Sequence, residues 1–88
     1  MIVAFTPDAW RDYLYWHETD RKIVAAVNRL IEDTRRDPFT GLGKPEPLRG
    51  EYAGWWSRRI NAEHRLVYRV EGKDDARRLT VAQCRYHY

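Results

Sequence analysis

Between Pro38 and Gly54 the chain places three prolines (Pro38, Pro45, Pro47) and four glycines (Gly41, Gly43, Gly50, Gly54) within 17 residues. No helix persists at that density, because each proline removes a backbone donor and each glycine raises the entropy lost on ordering. The segment divides the sequence in two. Before it, apolar residues recur at helical spacing; after it, they alternate with polar ones. A loop of this length in a small domain is usually a functional surface.

In the first half, Ile2 to Phe5 form a short apolar run that ends at Thr6-Pro7-Asp8. Thr6 suits an N-cap and Pro7 the first helical position, so a strand hands over to a helix. Trp10, Tyr13, Leu14 and His17 then share one face of a helix reaching about Trp16 or His17, and that face is expected to be core. Thr19-Asp20 is a second N-cap signal, although Lys22 stands where a full capping box would place Glu. Ile23, Val24, Val27, Leu30 and Ile31 form the apolar stripe of a second helix. It should end near Arg36, since Pro38 disfavours helical geometry at Asp37.

In the second half, only a short strand near Leu48 fits inside the loop. Trp55 to Ile60 and His64 to Val70 read as a hairpin around Asn61-Ala62-Glu63. Leu66, Tyr68 and Val70 alternate with Arg65, Val67 and Arg69. After a polar turn over Glu71 to Ala76, Leu79 to Tyr86 resumes alternation, with Leu79 and Val81 opposite Thr80, Ala82 and Cys84. The expected fold is α+β, with two N-terminal helices packed on a twisted antiparallel sheet in one domain over residues 1–88. At 88 residues the core is small, so association with another chain is a reasonable expectation. The single cysteine, Cys84, allows no internal disulfide. No run approaches the roughly 20 apolar residues of a membrane span, and Met1 leads into Ile-Val-Ala-Phe without a signal-peptide pattern, so the expected location is cytoplasmic.

Residues 1–34 carry four basic and six acidic side chains, whereas residues 35–88 carry twelve basic and seven acidic. A basic half of this kind points to a polyanion, nucleic acid first. Arg58, Arg59, Arg65, Arg69 and Arg85 lie on the strands and could in part converge on one patch, with Trp55, Trp56 and Tyr68 as stacking surfaces or as core. His17, His64 and His87 form no metal-ligand pair, and no Gly-rich phosphate loop or catalytic-cysteine context is present. No metal or other cofactor is expected. The remaining inventory of Glu, His, Arg and Tyr suits metal-free RNA cleavage by a base, a phosphate-stabilising cation and an acid. Glu46, confined between Pro45 and Pro47, is either such a group or a plain surface carboxylate.

Several blocks are familiar in their order. Trp10, Asp12-Tyr13-Leu14-Tyr15-Trp16, Glu18-Thr19-Asp20, Asp33-Thr34-Arg35-Arg36, Gly43-Lys44-Pro45-Glu46-Pro47-Leu48, Trp56-Ser57-Arg58-Arg59-Ile60, Glu63-His64-Arg65-Leu66-Val67-Tyr68 and Cys84-Arg85-Tyr86-His87-Tyr88 resemble the YoeB (Txe) branch of the RelE-like bacterial toxins. The resemblance implies a microbial-ribonuclease-type fold and the toxin of a type II toxin-antitoxin module. It implies an endoribonuclease that cuts mRNA in the A site of the 70S ribosome and so stops translation. By the same resemblance, Glu46 is the general base, Arg65 the phosphate-stabilising cation, His87 the general acid and Tyr88 its assistant at the phosphate. Lys44, Arg59 and Glu63 match positions near that site and are expected to contact RNA. The implied partners are a YefM-like (Phd-type) antitoxin and a second copy of the chain, with no membrane. Two features depart from the family pattern: the long charged turn from Glu71 to Arg78, and Gln83 where an aliphatic residue is expected. A nucleic-acid-binding module without cleavage, and a nuclease acting on free RNA, are the alternative readings.

Overall fold

The computed structural model describes residues 1–86. Strand β1 (Ile2–Phe5) leads into helices α1 (Pro7–Thr19) and α2 (Arg21–Arg36), followed by strands β2 (Glu46–Pro47), β3 (Trp56–Arg59), β4 (Arg65–Glu71) and β5 (Arg78–Gln83). The hydroxyl of Thr6 accepts from Ala9 N–H at 3.2 Å, and Pro7 opens α1 without needing a partner. The helix runs to Thr19, beyond the expected stop, because only Asp20 leaves helical geometry (φ −158°). Asp20 then serves both helices: its N–H returns to Trp16 O at 2.9 Å, and its carboxylate accepts from Lys22 N–H at 3.0 Å.

The buried row of α1 is Ala9 and Trp16, with Tyr13 at its edge. Trp10 and Leu14, expected in the core, are 47% and 44% exposed. The small side chain of Ala9 faces the core, and Trp10 packs instead on Phe5 and Tyr13 at the rim. In α2 the expected stripe holds: Val24, Val27, Leu30 and Ile31 are buried, together with Thr34, whose hydroxyl donates to Leu30 O at 2.7 Å.

The sheet order is β1-β5-β4-β3-β2. The pairings among β2, β3, β4 and β5 are antiparallel, but β1 runs parallel to β5, from Ile2↔Arg78 to Phe5↔Val81. The sheet is therefore mixed, since the two-helix crossover brings β1 onto the free edge of β5. Between β4 and β5 the register shifts at Val67/Tyr68, so Tyr68 faces Val81 while Val67 faces Gln83. The extra residue is Ala82. It turns Cys84 onto the same side as Leu79 and Val81, contrary to simple alternation, and the thiol is fully buried in the core. Burial, with the Asp12 carboxylate adding to it, pushes the Cys84 thiol up to about 12.

Arg58 is the largest side chain that is fully buried. Its Nε donates to the Tyr68 hydroxyl at 3.1 Å, Nη1 to Asp33 Oδ2 at 2.7 Å and Leu42 O at 3.0 Å, and Nη2 to Asp37 O at 2.7 Å and Thr40 O at 3.0 Å. Tyr68 in turn donates to Pro38 O at 2.6 Å. Arg58 thus leaves the basic surface patch in which alternation alone could place it. It gathers the carbonyls of a loop too rich in proline and glycine to satisfy them in a helix.

Replacing Arg58 by Leu strands these acceptors and should cost roughly 3 to 5 kcal/mol in a denaturant melt; an unchanged midpoint would remove this central role. Asp33 is held down to about 2 by the Leu42 N–H first and Arg58 second, from an ordinary 3.8. Because its folded value is depressed, its contribution to stability is complete above about pH 4 and is lost as pH falls towards 2. Asp33→Asn should flatten that acid limb in melts recorded from pH 5 to 2. Cys84 should stay inert to a thiol reagent at pH 8 in the folded protein and react fully in denaturant.

Candidate active site

Arg58, Leu66 and Tyr68 face the helices, so their neighbours Ser57, Arg59, Arg65 and Val67 project from the other face of the sheet. Glu46 pairs with Ser57, Ser57 with Val67, and Arg59 with Arg65. Glu46, Arg59 and Arg65 therefore share one face. Arg65 lies two strands from Glu46, about 10 Å across, and two residues along, about 7 Å. Buried Ser57 and Val67 form the floor between them.

The loop delivers Glu46 to this face by specific contacts. Gly43 O accepts from Arg59 N–H at 2.6 Å, which ties the loop to the end of β3. Gly43 has φ +78°, and a Cβ there would lie 2.9 Å from Arg59 O and 3.0 Å from Leu30 Cδ2. Lys44 continues in the left-handed region at φ +52° and is exposed. Glu46 and Pro47 then pair with β3 as an edge strand, where a missing proline donor is tolerated, and Leu48 N–H donates to Trp55 O at 2.9 Å. The exposed Glu46 carboxylate borders a concavity of about 540 Å³ that Pro47, Leu48 and Arg49 also line.

Arg65 is anchored by Nη1, which donates to Asn61 O at 2.8 Å and His64 O at 3.1 Å. Among the described residues its Nε and Nη2 edge makes no such bond, leaving a donor pair suited to a phosphate. The preceding turn is set by Asn61, whose Oδ1 accepts from Glu63 N–H at 2.9 Å and His64 N–H at 2.8 Å. Glu63 is exposed, with Oε1 3.5 Å from His64 Nε2. It lines a cleft of about 390 Å³ with Asp20, His64, Arg85 and Tyr86, at the end of the sheet. Glu46, Arg59 and Arg65 are thus brought together, Lys44 adjoins them in the loop, and Glu63 borders the next cleft. His87 and Tyr88 lie outside the described residues.

Two features of the site escape a motif reading. His64 is buried, packs edge-on to Trp16 at 4.7 Å between ring centroids, and accepts from Tyr86 N–H through Nδ1 at 2.7 Å. Its parity with Leu66 and Tyr68 was the available signal, since that parity marks the core face. Arg85 stacks over Tyr15 at 3.6 Å and Tyr86 at 4.6 Å, and donates to the Tyr86 hydroxyl at 2.8 Å. Of the aromatics on the hairpin, Tyr68 and Trp56 belong to the core or its margin, while Trp55 lies under the guanidinium of Arg69. Among the described residues no group of three His, Cys, Asp or Glu could hold a metal ion.

Residues 5–88 match the family described as YoeB-like toxin of bacterial type II toxin-antitoxin system. The chain belongs to that family. Toxin YoeB of Escherichia coli (strain K12) is 57% identical over 88 residues, all of both chains. The structure of a YoeB/ParE toxin from Agrobacterium tumefaciens superposes with a TM-score of 0.96 at 55% identity, again over the whole of both chains. YoeB of Staphylococcus aureus has been solved as a dimer, with TM-score 0.89 and 40% identity. It has also been solved as a heterotetrameric complex with YefM, with TM-score 0.87 and 43% identity; either way the match covers all of this chain and 98% of that one. The present chain is a toxin of the same kind, with the α+β fold of these YoeB structures. Among its described residues no helix is long and apolar enough to cross a membrane.

The close approach at Gly43 makes it a sensitive probe of the YoeB-like loop. Gly43→Ala should destabilise the protein by more than about 1 kcal/mol, through left-handed strain and contact with Arg59 O. Unchanged stability and an unshifted Arg59 amide resonance would show that the loop is not held there.

Proposed function

We propose that the chain is a ribosome-dependent mRNA endoribonuclease that cleaves in the A site by metal-independent acid-base chemistry. The observation that carries this reading is the pair Arg59↔Arg65, directly opposed across β3 and β4 beside Glu46. Like charges placed opposite each other cost a sheet up to about 1 kcal/mol. An anion between them removes that cost, and the neighbouring carboxylate gives the site something to do with the anion.

In the proposed reaction Glu46 takes the proton of the 2'-OH, whose oxygen attacks the adjacent phosphorus. Arg65, with Arg59 beside it, balances the charge of the pentavalent phosphorane. His87 protonates the departing 5'-oxygen, and Tyr88 assists at the phosphate. The products are a 2',3'-cyclic phosphate and a 5'-hydroxyl. Lys44, Arg59 and Glu63 contact the RNA on either side. Glu46 and Arg65 stand on an open face about 12 Å apart, which favours a substrate held in place by something larger, here the ribosome.

Partners follow from the relatives. A YefM-like antitoxin neutralises the toxin, as the Staphylococcus aureus complex suggests, and two copies associate in the cytoplasm. Trp10 and Leu14 on α1, each more than 40% exposed, supply apolar surface for such contacts.

The purified chain should cut mRNA only when 70S ribosomes carry a codon in the A site, with the cut mapped by primer extension. His87→Gln should abolish cleavage. Arg65→Ala should lose about 2 to 4 kcal/mol of transition-state stabilisation, a fall of about 30- to 1,000-fold, while ribosome binding persists. Equal cleavage of free mRNA would make the chain a general ribonuclease. Ribosome binding without any cleavage would reduce it to a binding module.

A further inference from the structure

The end of the described chain is held by more polar contacts than a chain terminus requires. Cys84 N–H donates to Asp12 Oδ2 at 3.2 Å, and Cys84 O accepts from Trp16 Nε1 at 2.9 Å. Two residues later, Tyr86 N–H donates to His64 Nδ1 at 2.7 Å while Tyr86 O accepts from Arg65 N–H at 3.1 Å. Gln83 Nε2 donates to Arg85 O at 2.9 Å and reaches Tyr86 O at 3.4 Å. Tyr86 itself has φ +64°, a conformation uncommon for a residue with a side chain and persistent only where its surroundings hold it.

His64 is the pivot of this arrangement. Its ring lies against Trp16 at 4.7 Å and Tyr86 at 5.6 Å between centroids, inside the fold rather than on the site face. An imidazole that accepts at Nδ1 carries its proton on Nε2, here 3.5 Å from Glu63 Oε1. The other ring nitrogen is therefore committed to a backbone amide and cannot itself take part in proton transfer without releasing it.

We propose that His64, assisted by Gln83, is a positioning residue. In its Nε2–H form it fixes the Tyr86 peptide against the Arg65 backbone N–H, and so steadies the residue whose guanidinium meets the phosphate. This rests on the proposed reading of Arg65. Gln83 has a place in this account. Its side-chain amide is a second tether on the same segment.

The test pairs His64→Phe, which keeps a ring against Trp16 but has no acceptor, with His64→Asn, whose carbonyl oxygen replaces Nδ1. By nitrogen-15 NMR of the wild-type chain, Nδ1 should be unprotonated and the Tyr86 amide protected from solvent exchange. That protection should vanish in His64→Phe and return in His64→Asn. On programmed ribosomes, single-turnover cleavage should fall roughly ten- to a hundredfold in His64→Phe with ribosome binding unchanged, and recover largely in His64→Asn. Gln83→Ala should show the same pattern more weakly, which keeps the question answerable if His64→Phe does not fold. A proton on Nδ1, or an unprotected Tyr86 amide in the wild type, would overturn the clamp whether or not the chain cuts RNA. Undiminished cleavage by His64→Phe, or a loss that His64→Asn does not relieve, would overturn the positioning role. An inert wild type would defeat the proposed function instead, with the clamp still decided by the NMR arm.

Discussion

Five N–H groups of one guanidinium meet five acceptors inside this protein. Arg58 is the interaction on which the rest depends, because the stretch from Pro38 onward has no regular structure in which to satisfy its own carbonyls. A charge this deep is tolerable only when every donor is used and a counter-ion is close, and Asp33 from α2 supplies the counter-ion at 2.7 Å. One side chain thereby ties together the end of the second helix, the start of the loop and the sheet.

From that anchor the site follows by backbone geometry. With Leu42 held by its carbonyl on Arg58 and its N–H on Asp33, Gly43 can offer its own carbonyl to Arg59 N–H. The chain is then aligned to add Glu46 and Pro47 to the edge of β3. Neighbouring residues of β3 thus divide the work. Arg58 points inward and holds the loop, while Arg59 points outward and opposes Arg65 on the face that carries Glu46.

Much of this was legible where the physics is local. The Thr6 and Asp20 caps, the α2 stripe and the hairpin around Asn61 depend on spacings of a few residues. The misreadings have particular causes. Trp10 and Leu14 matched a helical stripe, but the face that Ala9 and Trp16 bury is decided by a sheet formed from distant sequence. Cys84 changed sides because one extra residue at Ala82 broke the period of two. Arg58 could not be told from Arg59 without knowing which strand face met the helices, whereas the parity of His64 with Leu66 and Tyr68 was readable. Residue identities at the site came from motif resemblance, while the arrangement of Glu46, Arg59 and Arg65 on one face needed the register.

The parallel pairing of β1 with β5 joins the two ends of the sequence. Thr6, which begins the first helix, bonds through its hydroxyl to Ala82 O across 76 positions of chain. Closing so long a span carries a larger entropy cost than the local β3–β4 hairpin does. A truncated chain that stops before Arg78 has no partner for β1 and leaves one edge of β4 bare. Incomplete synthesis therefore yields a sheet without the strand that joins β1 to β4, and no tether beside Arg65. The toxin thus assembles only once its last strand has been made.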